Sequence, residues 1–152
     1  MPKDYSYGII PVFRGEGGLL SVLIVAKTNT DGEKWWGFPK GHPESSDQNI
    51  KATALREFKE ETGLTPIFSG DKEYTDHYIL ERNGEQKNKT VTYFVGVVDS
   101  TEVTLDKNEL IDYRWVPSNL ADHFLTHDST KAMFCLAEHD VETMGNQNKN
   151  SA

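Results

Sequence analysis

The sequence predicts a mixed α/β (α+β) sandwich, an α/β/α arrangement around a mixed central sheet. Three observations carry this. Two short apolar runs, residues 5–13 and 19–27, flank a glycine-rich turn. An acidic segment of helical period, residues 49–62, follows them. Two further strand-like runs, 75–81 and 90–98, then lead to a helical C-terminal part. Strands and helices do not alternate regularly enough for a doubly wound parallel sheet.

Each element has a local reason. Residues 5–13 are rich in β-branched and aromatic side chains, and RGEGG at 14–18 is a turn. The run LLSVLIVA that follows suits a buried strand and is far too short to span a bilayer. Together these form a hairpin. Residues 28–34 read as a polar loop, and WWGFPKGHPESSD, with two glycines and two prolines, reads as irregular. In the helix over 49–62, Ser46 or Asp47 could cap the start, and Gly63 suits the left-handed position after the end. Ile50, Ala54 and Phe58, with Leu55 beside them, form its apolar stripe. Glu57, Glu60 and Glu61 share another face. The strands over 75–81 and 90–98 are joined by RNGEQKNK, in which Asn83-Gly84 is a strong turn dipeptide. Residues 110–116 form a last strand, and Pro117 opens a helical part containing DSTKAMFCLAEHDVE. The ending GNQNKNSA reads as a frayed tail. A single domain over 1–140 with a polar tail over 141–152 is expected.

Composition narrows the function. A net charge of −8 argues against a nucleic-acid binder held by a basic field, so no DNA partner is expected. A nucleotide substrate stays open if cations neutralise its phosphates. The start, MPKDYSYGII, lacks an apolar run with a cleavage site, so a cytoplasmic protein with no membrane partner is expected. Cys135 is the single cysteine and cannot form an internal disulfide. Its neighbours Met133, Phe134 and Leu136 predict a buried helical thiol.

The segment REFKEETG, residues 56–63, crowds Glu57, Glu60 and Glu61 together although like charges on a helix repel. Either this is a solvated acidic face, or the carboxylates converge on divalent cations such as Mg²⁺ or Mn²⁺, which prefer oxygen ligands. The loop ending in Pro39-Lys40-Gly41 leads into this helix and lets backbone groups approach ions and phosphates closely.

Gly41, an acidic residue, Arg56-Glu57, Glu60-Glu61 and Gly63-Leu64 resemble the Nudix box, G-x5-E-x7-R-E-U-x-E-E-x-G-U with U a bulky aliphatic residue. REFKEETGL matches well, with Phe58 at the first U. Two departures stand out. Asp47 takes the place of the first glutamate, and eight residues rather than seven separate it from Arg56, leaving open whether Asp47 or Glu44 fills that role. The resemblance covers about residues 5–140 and implies a Nudix-type sandwich with metal-dependent pyrophosphohydrolase activity. It implies Gly41, Glu57, Glu60 and Glu61 as ligands of Mg²⁺ or Mn²⁺, with Arg56 holding the glutamates in place. Glu60 and Glu61 are candidate general bases within the box, and Glu109 is one from outside it, although Asp106 and Asp112 make a solvated acidic loop an equal reading.

WGFPKGH, TALRE and EETG look most like the asymmetric diadenosine tetraphosphate hydrolases, which implies cleavage to ATP and AMP. Lys40 and His42 are placed to contact phosphates, or are a surface charge and a turn residue. Tyr93, Phe94 and Tyr113 are either stacking platforms for adenine or core aromatics. Lys87 and Lys89 in the hairpin loop could meet distal phosphates, although loop lysines usually do nothing specific. The alternative substrate in the family is an RNA 5′ end. From another class, a Nudix-like module could sense nucleotides without cleaving them, but such modules usually lose box glutamates, and all three are present here.

Overall fold

The structure is a computed structural model that describes residues 1–29 and 31–147. Its elements run β1 (Lys3–Arg14), β2 (Leu20–Thr28), β3 (Lys34–Gly37), β4 (Lys40–Gly41), α1 (Ile50–Thr62), β5 (Phe68–Ser69), β6 (Tyr74–Arg82), β7 (Glu85–Val98), β8 (Asp112–Pro117) and α2 (Asp128–Gln147). The eight strands form one mixed sheet, in which β1 and β7 run parallel and the remaining pairs are antiparallel. Beside β1, the chain splits. β2 pairs with its last residues and β4 with Tyr7 and Gly8. β3 continues along the far end of β2.

Side-chain alternation along the strands builds two cores, one on each face. Ile9, Leu23, Val25 and Phe94 pack with Ala54 and Phe58 of α1. Their neighbours Ile10, Val22, Ile24, Tyr93 and Val95 point the other way, against Met133, Phe134, Ala137 and Val141 of α2. This explains why β1, β2 and β7 read as continuous apolar runs: both faces are covered. The expected α/β/α sandwich with a mixed sheet is the observed one.

Several boundaries differ from the sequence reading. WWGFPKG is not irregular, because β3 and β4 lie in it, paired to β2 and β1. The cap of α1 is neither Ser46 nor Asp47: Asn49 accepts the Ala52 N–H at 2.8 Å. Gly63 does close the helix, at φ 77°. The expected eight-residue loop between β6 and β7 shrinks to Asn83-Gly84, with positive φ at both residues, as a tight hairpin turn requires. Lys87 and Lys89 therefore sit in β7.

The helical phase of α2 corrects two further expectations. Phe134, Ala137 and Val141 face the sheet, so Cys135 is rotated outward and is exposed rather than buried. The boundary expected after residue 140 falls inside α2, which continues through Gln147 with Val141 wholly buried. Residues 148–152 of the expected tail lie outside the described residues. No helix among the described residues is long and apolar enough to cross a membrane.

The C-terminal turns of α2 are thus part of the core. Val141→Ala should lower the unfolding free energy by about 2 kcal/mol, the cost of removing two buried carbon groups and leaving a small cavity. Urea unfolding measures it, and a loss below about 0.5 kcal/mol would show that the last turns of α2 pack only superficially.

Candidate active site

Arg56 organises the acidic helix. Its Nε and Nη2 donate to the two carboxylate oxygens of Asp47 at 2.9 and 3.0 Å. Nη2 also donates to the His42 carbonyl at 2.9 Å. Nη1 donates to Glu57 at 2.9 Å and to Glu60 at 3.1 Å. Asp47 rather than Glu44 is therefore the carboxylate that Arg56 holds in a two-pronged contact. Glu44 lies farther off, its carboxylate 3.5 Å from Nη1. Asp47 additionally accepts from the Thr53 hydroxyl and the Glu44 amide. The hydrogen bonds from Arg56 hold the Asp47 carboxyl well below the usual carboxylate range and, reciprocally, raise the guanidinium. The helix runs from Ile50 to Thr62 behind the Asn49 cap, which keeps Arg56, Glu57, Glu60 and Glu61 in helical register.

The three box glutamates do not share one environment. Glu60 is half exposed, while Glu61 is buried with 3% of its surface accessible. Glu61 turns inward under β4, where its carboxylate accepts the Lys40 amide at 3.3 Å. Burial raises the Glu61 carboxyl to about 7, against the opposing pull of Lys27 and Lys40. Glu57 is raised as well, chiefly by burial. A Cβ placed on Gly41 would lie 2.1 Å from the Glu57 carboxylate, so only glycine lets that carboxylate close on the β4 backbone.

Among the described residues, no three His, Cys, Asp or Glu side chains are gathered into a ready metal cage. Glu57 and Glu60 are turned to Arg56, and Glu61 lies under Lys40. The donor set nonetheless fits a hard divalent cation. It is all oxygen, and the Gly41 cradle brings a carboxylate against backbone without a side chain in the way.

A cleft of about 170 Å³ opens beside Lys40, lined by residues from β1, β2, β3, β4, β6, β7 and the start of α2. Its cations are Lys27, Lys40, Arg82 and Lys89. Burial, with Lys27 and Lys89 nearby, lowers the Lys40 ammonium to about 7. Lys89, expected in a loop either to meet distal phosphates or to do nothing specific, is 3% exposed and donates to Asp4 at 2.9 Å and to Ser6. His42 is exposed and bonds Asp4 at 3.0 Å. The aromatic rings of the lining are Trp35, Trp36, Phe38, Tyr78 and His127, with Trp35 opposite Lys27 and Tyr78 opposite Lys89.

The remaining expected residues divide. Tyr93 lies beneath the cleft but is 2% exposed and packed on Phe38, so it offers no free ring face for stacking. Tyr113, on β8, and Phe94, in the α1 core, lie outside the cleft lining. Glu109 is exposed on a turn whose Asp106 amide bonds the Glu61 carbonyl, and its carboxylate makes no ion pair among the described residues. Missed altogether were Lys27, Trp35, Trp36, Asp76, Tyr78 and Arg82. One signal was available: Asp76, Tyr78, Leu80 and Arg82 alternate along β6 and so share one face.

The Asp47–Arg56 pair gives a pH-dependent prediction. The folded pKa of Asp47 lies below the unfolded value of about 3.9, so the contribution of the pair is full above that pH and is lost as pH falls through the folded value. Asp47→Asn should therefore be less stable than wild type near about pH 6, with the gap narrowing toward about pH 2. Denaturant titration across that range measures it, and a constant gap would show that the charge on Asp47 is immaterial.

Comparison with known proteins agrees with this geometry. The family model for the NUDIX domain matches residues 2–135. No curated protein matches by sequence. Among solved structures, an Ap4A hydrolase from C. elegans, in a binary complex, superposes with a TM-score of 0.68 at 18% identity, covering 93% of this chain and 98% of that one. The NUDIX domain of Shewanella oneidensis NrtR, complexed with ADP ribose, gives 0.69 at 18% identity, covering 91% and 89%. A mutator MutT protein from Bacillus halodurans gives 0.66 at 20% identity, covering 89% and 82%. With its sandwich fold, its Arg56-centred carboxylates and a family match over most of its length, the chain belongs to the NUDIX domain family and is a hydrolase of phosphorus-containing anhydrides.

Proposed function

We propose that the protein cleaves diadenosine tetraphosphate to ATP and AMP, with Mg²⁺ or Mn²⁺ held by Glu57, Glu60, Glu61 and the Gly41 carbonyl. The observation that carries this is the make-up of the cleft. Its lining sets the cations Lys27, Lys40, Arg82 and Lys89 beside the aromatic rings of Trp35, Trp36 and Tyr78, with Trp35 opposite Lys27 and Tyr78 opposite Lys89. A nucleoside joined to a phosphate chain presents the complementary groups. The likeness to the C. elegans Ap4A hydrolase supports the same reading.

When bound, a divalent cation neutralises phosphate charge, polarises phosphorus and acidifies a water. The side chains of the chain do the rest. The lysines and Arg82 hold the phosphate chain along the cleft. Glu61, the box carboxylate nearest the cleft, takes the proton of the attacking water. The water oxygen bonds to one phosphorus, and the bridging oxygen leaves with the other, in line. Glu60 is the second candidate base within the box, and Glu109 the one outside it. Arg56 acts as a positioning residue through its bonds to Glu57 and Glu60.

Product analysis with Mg²⁺ tests the substrate. Diadenosine tetraphosphate, a 5′-triphosphorylated RNA and ADP-ribose are incubated in parallel. ATP plus AMP formed fastest from the first is expected. Faster pyrophosphate release from RNA would move the assignment to RNA 5′ ends. No turnover of any nucleoside diphosphate derivative would leave a nucleotide-sensing module.

Two variants test the metal site. Glu60→Gln should lower turnover about 100-fold or more with the fold intact. Gly41→Ala, whose added carbon meets the Glu57 carboxylate, should lower it about 10- to 100-fold. Full turnover of Glu60→Gln would sink the metal-site assignment.

A further inference from the structure

Asp76 has no part in the hydrolytic site, yet it lies in the cleft with 2% of its surface exposed. Its Oδ2 accepts the Thr130 hydroxyl at 2.6 Å. Its Oδ1 is buried and has no hydrogen-bond partner among the described residues. A buried carboxylate oxygen left without a donor is costly, so its retention calls for a donor from elsewhere. Asp76 sits on β6 two residues before Tyr78, and both side chains line the cleft. The rings of Tyr78 and His127 lie nearly parallel, 14° apart in tilt with centroids 6.1 Å apart. Trp35 stands edge-on to His127 at 4.7 Å. A flat, unsatisfied acceptor site thus sits among aromatic faces.

We propose that Asp76 reads the nucleobase, accepting the exocyclic amino group of adenine while the purine ring lies against Tyr78, His127 and Trp35. Adenine is favoured over guanine by the count of acceptors. Guanine presents two adjacent N–H donors on one edge, which suit both oxygens of a carboxylate. Here Thr130 occupies Oδ2, so one oxygen remains for one donor. Lys89 is the cross-strand partner of Tyr78, with Lys27 and Arg82 close enough to act on its charge, so phosphates attached to the nucleoside run toward Lys89. The assignment rests on the nucleotide reading above and adds what selects the base.

The test is calorimetric binding without metal, so it does not depend on turnover. AMP is compared with purine riboside 5′-monophosphate, which lacks only the amino group. The wild-type protein should bind AMP about tenfold more tightly. In Asp76→Ala the gap should fall below about twofold, with the affinity for purine riboside 5′-monophosphate nearly unchanged. Equal binding of the two ligands by wild type would overturn the proposal without any variant, as would an undiminished gap in Asp76→Ala. A preference appearing only between GMP and IMP would assign the site to guanine and also overturn it. If diadenosine tetraphosphate is not hydrolysed but the AMP preference stands, the hydrolytic reading fails and the base reading survives. If hydrolysis stands and the preference is absent, Asp76 alone loses its role.

Discussion

The contacts of the Arg56 guanidinium are the constraint on which the catalytic face depends. Three anionic side chains and one carbonyl converge on it: Asp47, Glu57, Glu60 and His42. Without that cation, Glu57 and Glu60 would repel each other one helical turn apart, and the loop from Gly41 to Asp47 would lose its tie to α1. The arrangement is planar and multidentate, which a lysine ammonium could not reproduce. It also separates the glutamates by task. Glu57 and Glu60 are tied to Arg56, whereas Glu61, one residue on, turns inward beneath Lys40. Burial then does to Glu61 what charge neutralisation prevents at Asp47: it raises the carboxyl rather than lowering it.

The sheet delivers the second half of the site. Because β1 pairs with β2 at one end and with β4 at the other, an opening is left beside it, and residues from β3, β4, β6 and β7 meet there. Lys89 shows how the fold uses it. Its ammonium is buried among Asp4 and Ser6, and burial lowers it despite the favourable charge of Asp4. Burial would raise Asp4, but Lys89 and His42 outweigh it and keep the carboxylate charged. The pair fixes one wall of the cleft in a charged state that a loop lysine could not hold.

What was legible in the sequence had a local cause. The turn at Asn83-Gly84, the Gly63 cap and the apolar stripe of α1 all depend on neighbours within one or two turns, and the structure has them. The box was legible because REFKEETGL resembles the family pattern; helical spacing alone left a solvated acidic face open. The cleft was not, because its residues come from seven elements and meet only after the sheet closes. Reading RNGEQKNK as a loop hid Lys89. The polar residues after Gly84 looked unstructured, yet β7 carries them, paired to β6 from Glu85 and to β1 from Asn88. Cys135 failed for a related reason: apolar neighbours in sequence do not fix which side of a helix faces the sheet, and its phase was set by Phe134 and Ala137.

Asp76 marks the limit of pattern reading and also what it can still reach. An aspartate in the middle of a strand, flanked two residues away by tyrosines on the same face, conflicts with the propensity of that strand. Where a sequence breaks a local rule and the fold does not repair the break, a functional cause is the economical explanation. Lys89 is a repaired break, since Asp4 and Ser6 satisfy it. Asp76 is only half repaired, since Thr130 satisfies one oxygen and nothing among the described residues satisfies the other. The open oxygen is what the proposed base contact would fill.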